Sequence, residues 1–414
     1  MPKNNNGTGP PRVMLVAWNA FTQSRWRVAC ILKERYCCEM HVVAPPYAVT
    51  ELGYDSSGMF TPASVGLEET PSWVHLVPLR DSSRHAQGFE RKPLLEAFHL
   101  VSPNIVWVHS EPLNHVAMQF QALSFRHRFD LYQAVIENIQ LEDSVGFLKL
   151  CPDSMRWRMK HLCRIGWVDG VRRMIDRCLL SRVTGFLGAG MPSVMRVREL
   201  FHVSEDRLHV SYLPNTDMGN DVIRTCNVDQ FRIGFVGRIC SSKGIETFLG
   251  ALQHLPETCV GVVAGTGEEK IIDRLQNYER IRYLGVVSSI AEVLGEIDVL
   301  VLPSLTTTLW SEQFGRVLAE AMSAGVVVIG SDSGAIPDVI GDTGLIFREG
   351  DVAGLVDRVM SVAENQSLRE SLAQKGRARF GECFSCEAHA RKLADVFGLE
   401  RKCVAHKGHK PSRL

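Results

Sequence analysis

Short apolar runs alternate with helical patterns along this chain, and the alternation happens twice. Apolar runs at 13–18 (VMLVAW), 40–44, 73–77, 105–108, 131–136, 184–189 and 208–213 read as strands, with helical periodicity at 25–35, 92–101, 116–124 and 191–200. After a polar, aperiodic stretch at 220–229 the pattern restarts. It then gives strands at 231–236, 260–264, 281–284, 299–303 and 325–330 and helices at 245–255, 268–278, 290–295, 316–324, 351–363 and 366–381. Runs without polar alternation fit strands covered on both faces, and strand–helix alternation fits parallel sheets. The expected fold class is therefore α/β: two doubly wound, Rossmann-like parallel-sheet domains facing across a cleft. A length of 414 residues, too long for one ordinary core, agrees. The expected division is a polar lead-in at 1–11, a first domain at 12–219, a second at 220–385, a short amphipathic helix at 386–397 and a basic tail at 401–414.

Charge and composition narrow the functions. Lys+Arg and Asp+Glu are both 46, so no broadly basic nucleic-acid surface is expected. No apolar run approaches the roughly 20 residues that span a bilayer. The first residues lack the apolar centre of a secretion signal, so a cytoplasmic location with reduced thiols is expected for the 12 cysteines. The pair Cys383-x-x-Cys386 reads as a helix end in preference to a metal or redox motif. The basic stretch at 151–182 reads as a solvated helical region packed on the first domain. Its sharper reading is a peripheral contact with an anionic membrane face or a phosphate-bearing acceptor.

In open parallel sheets, ligands bind beyond the carboxyl ends of the strands. In the second half those ends carry Gly237, Arg238 and Lys243, then Gly265 and Gly267, then Pro303 and Ser304 followed by Glu312, Phe314 and Gly315. Arg238 offers a fork of donors and Lys243 a point charge, which suits a pyrophosphate. The glycines allow backbone to approach closely. Gly315 opens a helical pattern whose first residue is Arg316, and a helix N-terminus favours an anion. Glu312 and Glu320, two turns apart, can accept from hydroxyls along one side of a ligand. Each element alone has a plainer reading as a turn, a surface cation or a solvated helix face; their order and spacing together point to a nucleotide sugar.

Gly237-Arg238, Lys243-Gly244, Gly265-x-Gly267, Pro303-Ser304 and Glu312-x7-Glu320 enclosing Phe314-Gly315 resemble the retaining GT-B glycosyltransferases of glycosyltransferase family 4. The likeness is close over 231–397, and in the first half it is one of organisation, with Pro214-Asn215 near the linker. It implies a donor such as a UDP- or GDP-sugar, with Arg238 and Lys243 on the pyrophosphate, Glu312 on the sugar hydroxyls beside the Phe314 and Gly315 backbone, Glu320 on the ribose and Leu284 near the base. It also implies catalysis without a bound metal or cofactor, retention by front-face attack, and a final helix (386–400) crossing back to the first domain. The acceptor, a sugar, a lipid-linked sugar or a small molecule, is then held by the first domain.

The first half departs from that family. The loop 19–24, opening at Asn19, has no glycine where the family carries a glycine-rich loop, and Glu137-Asn138 stand where many members carry a histidine. Glu137 and Glu111 are candidates for orienting the acceptor or serving as base, with Asn138 and Asn19 beside them; the alternative is that they cap turns. Two other functions fit the same residues: a catalytically silent nucleotide-sugar binder, and another GT-B sugar-nucleotide enzyme such as a phosphorylase or epimerase.

Overall fold

The computed structural model describes residues 9–17, 23–45, 71–80, 88–112, 114–136, 176–219, 222, 230–308 and 310–402. The first sheet holds β1 (Arg12–Val16), β2 (Glu39–Ala44), β3 (Val74–Leu76), β4 (Ile105–Val108), β5 (Asp130–Val135), β6 (Gly185–Gly188) and β7 (Leu208–Val210). The second holds β8 (Phe231–Val236), β9 (Cys259–Ala264), β10 (Ile281–Gly285), β11 (Val299–Leu302), β12 (Val327–Ser331) and β13 (Leu345–Phe347). Strand orders are β3-β2-β1-β4-β5-β6-β7 and β10-β9-β8-β11-β12-β13. Neighbouring strands pair in parallel throughout. The strand order therefore reverses between β1 and β4 and again between β8 and β11.

Side chains alternate across each strand, so each sheet has two buried faces. In β1, Val13 and Leu15 face one core and Met14 and Val16 the other. In β11, Val299 and Val301 face one core and Leu300 and Leu302 the other. The helix Arg316–Ser323 contributes Leu318, Ala319, Ala321 and Met322 to the core under β11 and β12. Among the described residues no helix is long and apolar enough to cross a membrane.

The helix Cys386–Phe397 belongs to the first sheet although it follows the second in sequence. Cys386, Ala390, Leu393, Ala394 and Phe397 pack with Val13, Leu15, Trp107 and the helix Gln23–Arg35. Beyond it, Cys37 N–H donates to Glu400 O at 2.8 Å and Lys402 N–H to Arg35 O at 2.9 Å, so the first residues of the basic tail are tied down. Leu393 is fully buried, and Leu393→Ala is expected to destabilise the first half by about 2–5 kcal/mol, read as a lower urea midpoint.

Element ends differ from the sequence reading for local reasons. The strand expected from 325 begins at Val327 because Gly325 sits at φ +68°. The helix expected through 381 ends at Arg379 and widens into a π turn, Phe380–Phe384, in which Ser385 N–H donates to Phe380 O at 2.9 Å. That widening sets both Phe380 and Phe384 into the core. The short helix Ile336–Ile340, with proline in its first turn, is not among the helices expected from periodicity. Most of 220–229, and the basic stretch apart from 176–182, lie outside the described residues.

Candidate active site

The loops after β8 and β11 flank the point where the second sheet reverses its strand order, and they are locked together. Leu305 N–H donates to Ser242 O at 2.8 Å. Gly244 sits at φ +73°, where a Cβ would lie 1.8 Å from Pro303 O. Only glycine lets these two backbones meet. A similar contact joins the β8 and β9 ends: a Cβ on Gly265, at φ +135°, would lie 1.8 Å from Gly237 O.

This approach brings together two side chains far apart in sequence. Lys243 Nζ donates to Glu312 Oε2 at 2.7 Å, and Ser304 Oγ donates to the same oxygen at 2.8 Å. The carboxylate is 9% exposed and the ammonium side chain 16%, so the pair is largely shielded from water. Glu312 is fixed from behind as well, since its carbonyl accepts from Ala335 N–H at 2.8 Å. The indole of Trp310 covers the lysine, with Nζ 4.7 Å from the ring centroid.

The other donor-side candidates lie at the ends of β8, β9 and β10 and at the start of the helix Arg316–Ser323. Arg238 is exposed on the β8 loop, and Leu284 is half-buried at the end of β10, followed by Gly285 at φ +66° and an exposed Val286. Phe314 is buried and faces the core, so only its backbone is available to a ligand. Gly315, at φ +74°, is the N-cap of Arg316–Ser323, and Arg316 is exposed. Glu312 lies in the loop, because the left-handed turn at Gly315 separates it from the helix, and half-buried Glu320 sits in the helix's second turn. Gly267 pairs with Ile239 in an isolated parallel bridge.

On the first half, Glu111 is engaged in holding its own loop. Its Oε1 accepts from Ile136 N–H at 2.6 Å and its Oε2 lies 3.5 Å from Arg196 Nη1. That geometry matches the capping alternative and ties the end of β4 to the end of β5. Asn19, Glu137 and Asn138 lie outside the described residues. Among the described residues no group of three or more His, Cys, Asp or Glu side chains is arranged to hold a metal ion.

Asp338, which drew no attention in the sequence, joins the two halves. Asp338 Oδ2 accepts from Met191 N–H at 2.7 Å and its Oδ1 from Tyr212 OH at 2.9 Å. A carboxylate of the second half thus caps a helix of the first, Met191–Phe201, whose own N-cap Gly190 supplies no side chain. Burial, reinforced by Asp338, pushes the Tyr212 hydroxyl well above its usual range. Cys386 Sγ lies 3.5 Å from both Ser24 O and Asn215 O, so its one S–H is shared between two carbonyls, and burial raises the thiol pKa to about 12. Cys383 and Cys386 are both free and unbridged.

His389, on the crossing helix, has Nδ1 2.7 Å from Tyr212 O. Burial, aided by nearby Arg25, lowers its pKa to about 4, and burial lowers buried His109 well below the ordinary histidine value too. A histidine held neutral in the fold but free to charge when unfolded stabilises fully above its unfolded pKa of about 6.5. That contribution is lost as pH falls toward the folded value. The unfolding free energy, measured by urea titration, is therefore expected to drop between pH 6.5 and 4, by up to about 1.4 kcal/mol per pH unit from His389, and His389→Asn should flatten the slope.

The two facing parallel-sheet domains with an exchanged final helix define the GT-B fold. Residues 230–365 match the family model "Glycosyl transferases group 1". The chain is 32% identical over 143 residues to N-acetyl-alpha-D-glucosaminyl L-malate synthase of Bacillus anthracis, covering 33% of this chain and 36% of that one. It is 29% identical over 180 residues to the capsular polysaccharide biosynthesis glycosyltransferase CapM of Staphylococcus aureus, covering 41% and 46%. The chain thus spans less than half the length of these relatives. Over the whole molecule it is similar to Anabaena Alr3699/HepE in complex with UDP, with TM-score 0.65 and 14% identity, covering 94% of this chain and 99% of that one. The sucrose-phosphate synthase of Thermosynechococcus elongatus matches with TM-score 0.61 and 15% identity, covering 94% and 98%.

Proposed function

We propose that the chain is a retaining glycosyltransferase of family 4 that moves a sugar from a nucleoside diphosphate sugar to an acceptor hydroxyl. The observation that carries this is the Lys243–Glu312–Ser304 group where the second sheet reverses strand order. An ammonium there meets a departing diphosphate and a carboxylate beside it holds sugar hydroxyls. Arg238 adds a guanidinium on the same rim, and the start of Arg316–Ser323 adds backbone N–H groups. Glu320 on that helix binds the ribose, and Leu284 with the turn at Gly285 borders the base.

In this reading the protein's work is electrostatic. The leaving diphosphate gains negative charge as the glycosidic bond breaks, and Lys243, Arg238 and the helix N-terminus are already in place to meet it. The acceptor hydroxyl attacks from the same face and gives its proton to the leaving phosphate oxygen, so configuration is retained and no metal is required. Acceptor contacts fall to the first half, for which Glu137, Asn138 and Asn19, following β5 and β1 in sequence, are the candidates. The structurally similar Anabaena protein has a crystal structure in complex with UDP, which favours a UDP-sugar as the first donor to test. A cytoplasmic enzyme touching the inner membrane face through its basic stretch is consistent with this role.

A panel of UDP- and GDP-sugars tests the reading. Calorimetric binding of one nucleoside diphosphate, with slow hydrolysis of the matching sugar donor, is expected. Binding without any hydrolysis or transfer would favour the silent-binder alternative, and release of an inverted sugar would exclude retention.

A further inference from the structure

We infer that Trp310 is a positioning residue for the leaving group: it holds the Lys243 ammonium in place and shields it from water. The inference rests on the donor-site reading above. Lys243 Nζ stands between two groups, Glu312 Oε2 at 2.7 Å and the Trp310 ring centroid at 4.7 Å. These groups act differently. A carboxylate neutralises an ammonium, whereas an aromatic face attracts it through its quadrupole and leaves the full charge for an incoming anion. An ammonium has three N–H donors, so one bond to Glu312 leaves capacity for phosphate oxygens.

The indole is held from its backbone. Thr307 N–H donates to Trp310 O at 2.7 Å and Thr307 Oγ1 to the same oxygen at 3.2 Å, closing a tight turn. One residue earlier the loop is pinned, with Thr306 Oγ1 2.9 Å from Ser333 Oγ and Thr306 N–H donating to Glu349. Trp310 is half-buried in the loop TTTLWSE and belongs to none of the four apolar cores. The lysine it covers is the contact that distinguishes its position.

The test measures nucleoside diphosphate affinity by calorimetry for wild type, Trp310→Leu, Trp310→Phe, Lys243→Met and the Trp310→Leu/Lys243→Met double variant. Trp310→Leu keeps apolar bulk and removes the π face, and should weaken binding roughly 3- to 10-fold. Trp310→Phe should recover most of that loss. Because Trp310 acts through Lys243, Trp310→Leu should cost nothing further once the ammonium is gone. Additive losses in the double variant, or a Phe variant as weak as Leu, would overturn the inference while the donor-site reading stands. Failure of the wild-type protein to bind any nucleoside diphosphate would overturn both.

Discussion

Glu312→Gln is expected to lower kcat roughly 100-fold or more while nucleoside diphosphate binds as tightly as before or tighter. The sign of the second effect comes from the ion pair. In the free protein Glu312 neutralises Lys243 at 2.7 Å, so a diphosphate must compete with it for the ammonium. Glutamine keeps the shape and removes that competitor. It also leaves a shielded lysine without its counter-charge, and removing one partner of a buried pair costs about 3–5 kcal/mol. The variant should therefore melt lower alone and gain more in Tm from added nucleotide than wild type does. Lys243→Ala should act in the opposite way, weakening nucleotide binding by about 10-fold or more, since a hydrogen bond to a charged group contributes about 1.5–3 kcal/mol. Nucleotide affinity falling in parallel with turnover for Glu312→Gln would show that the two roles have been assigned wrongly.

Gly244→Ala is expected to be among the most damaging single methyl groups on the donor rim. The residue sits at φ +73° and the added carbon would lie 1.8 Å from Pro303 O. Neither backbone can retreat freely, because Leu305 N–H is bonded to Ser242 O at 2.8 Å. Left-handed strain and the clash together should cost about 3 kcal/mol or more, or roughly 6–12 °C in Tm for a domain of this size. Gly237→Ala is the matched control. Its φ is +148°, but nothing lies within 4 Å of the added carbon, so only the dihedral cost of about 1–3 kcal/mol applies. Equal losses at the two positions would show that the approach of the two loops does not matter to stability.

The parts of this fold set by local pattern were legible in the sequence. The run at 105–108 is β4, and the amphipathic stretch at 386–397 is the last helix with the same bounds. Hydrophobic periodicity needs only neighbours along the chain to be read. The donor rim was legible in its members, because glycines and charges directly after strands mark a ligand edge. How those members meet was not. Lys243 and Glu312 are 69 positions apart, and their bond follows from β8 lying beside β11. Trp310 and Asp338 gave no local signal either: one is a lone aromatic in a polar loop, the other an acid after a proline, and each matters only through a partner from another element. Glu111 shows the reverse. Its place after a strand suggested chemistry, and its side chain is taken up by Ile136 N–H and Arg196.

The exchanged final helix bears on how the protein is made. The last strand of the first sheet ends at Val210, yet the helix that covers one face of that sheet begins at Cys386. A ribosome must deliver the whole second half before the first can close its core. Val13, Leu15 and Trp107, covered in the finished molecule, stay without that cover throughout the interval. The second half runs from Phe231 to Phe384 and needs no later segment to complete its sheet. The order in which the two halves finish folding is thus the reverse of the order in which they are synthesised.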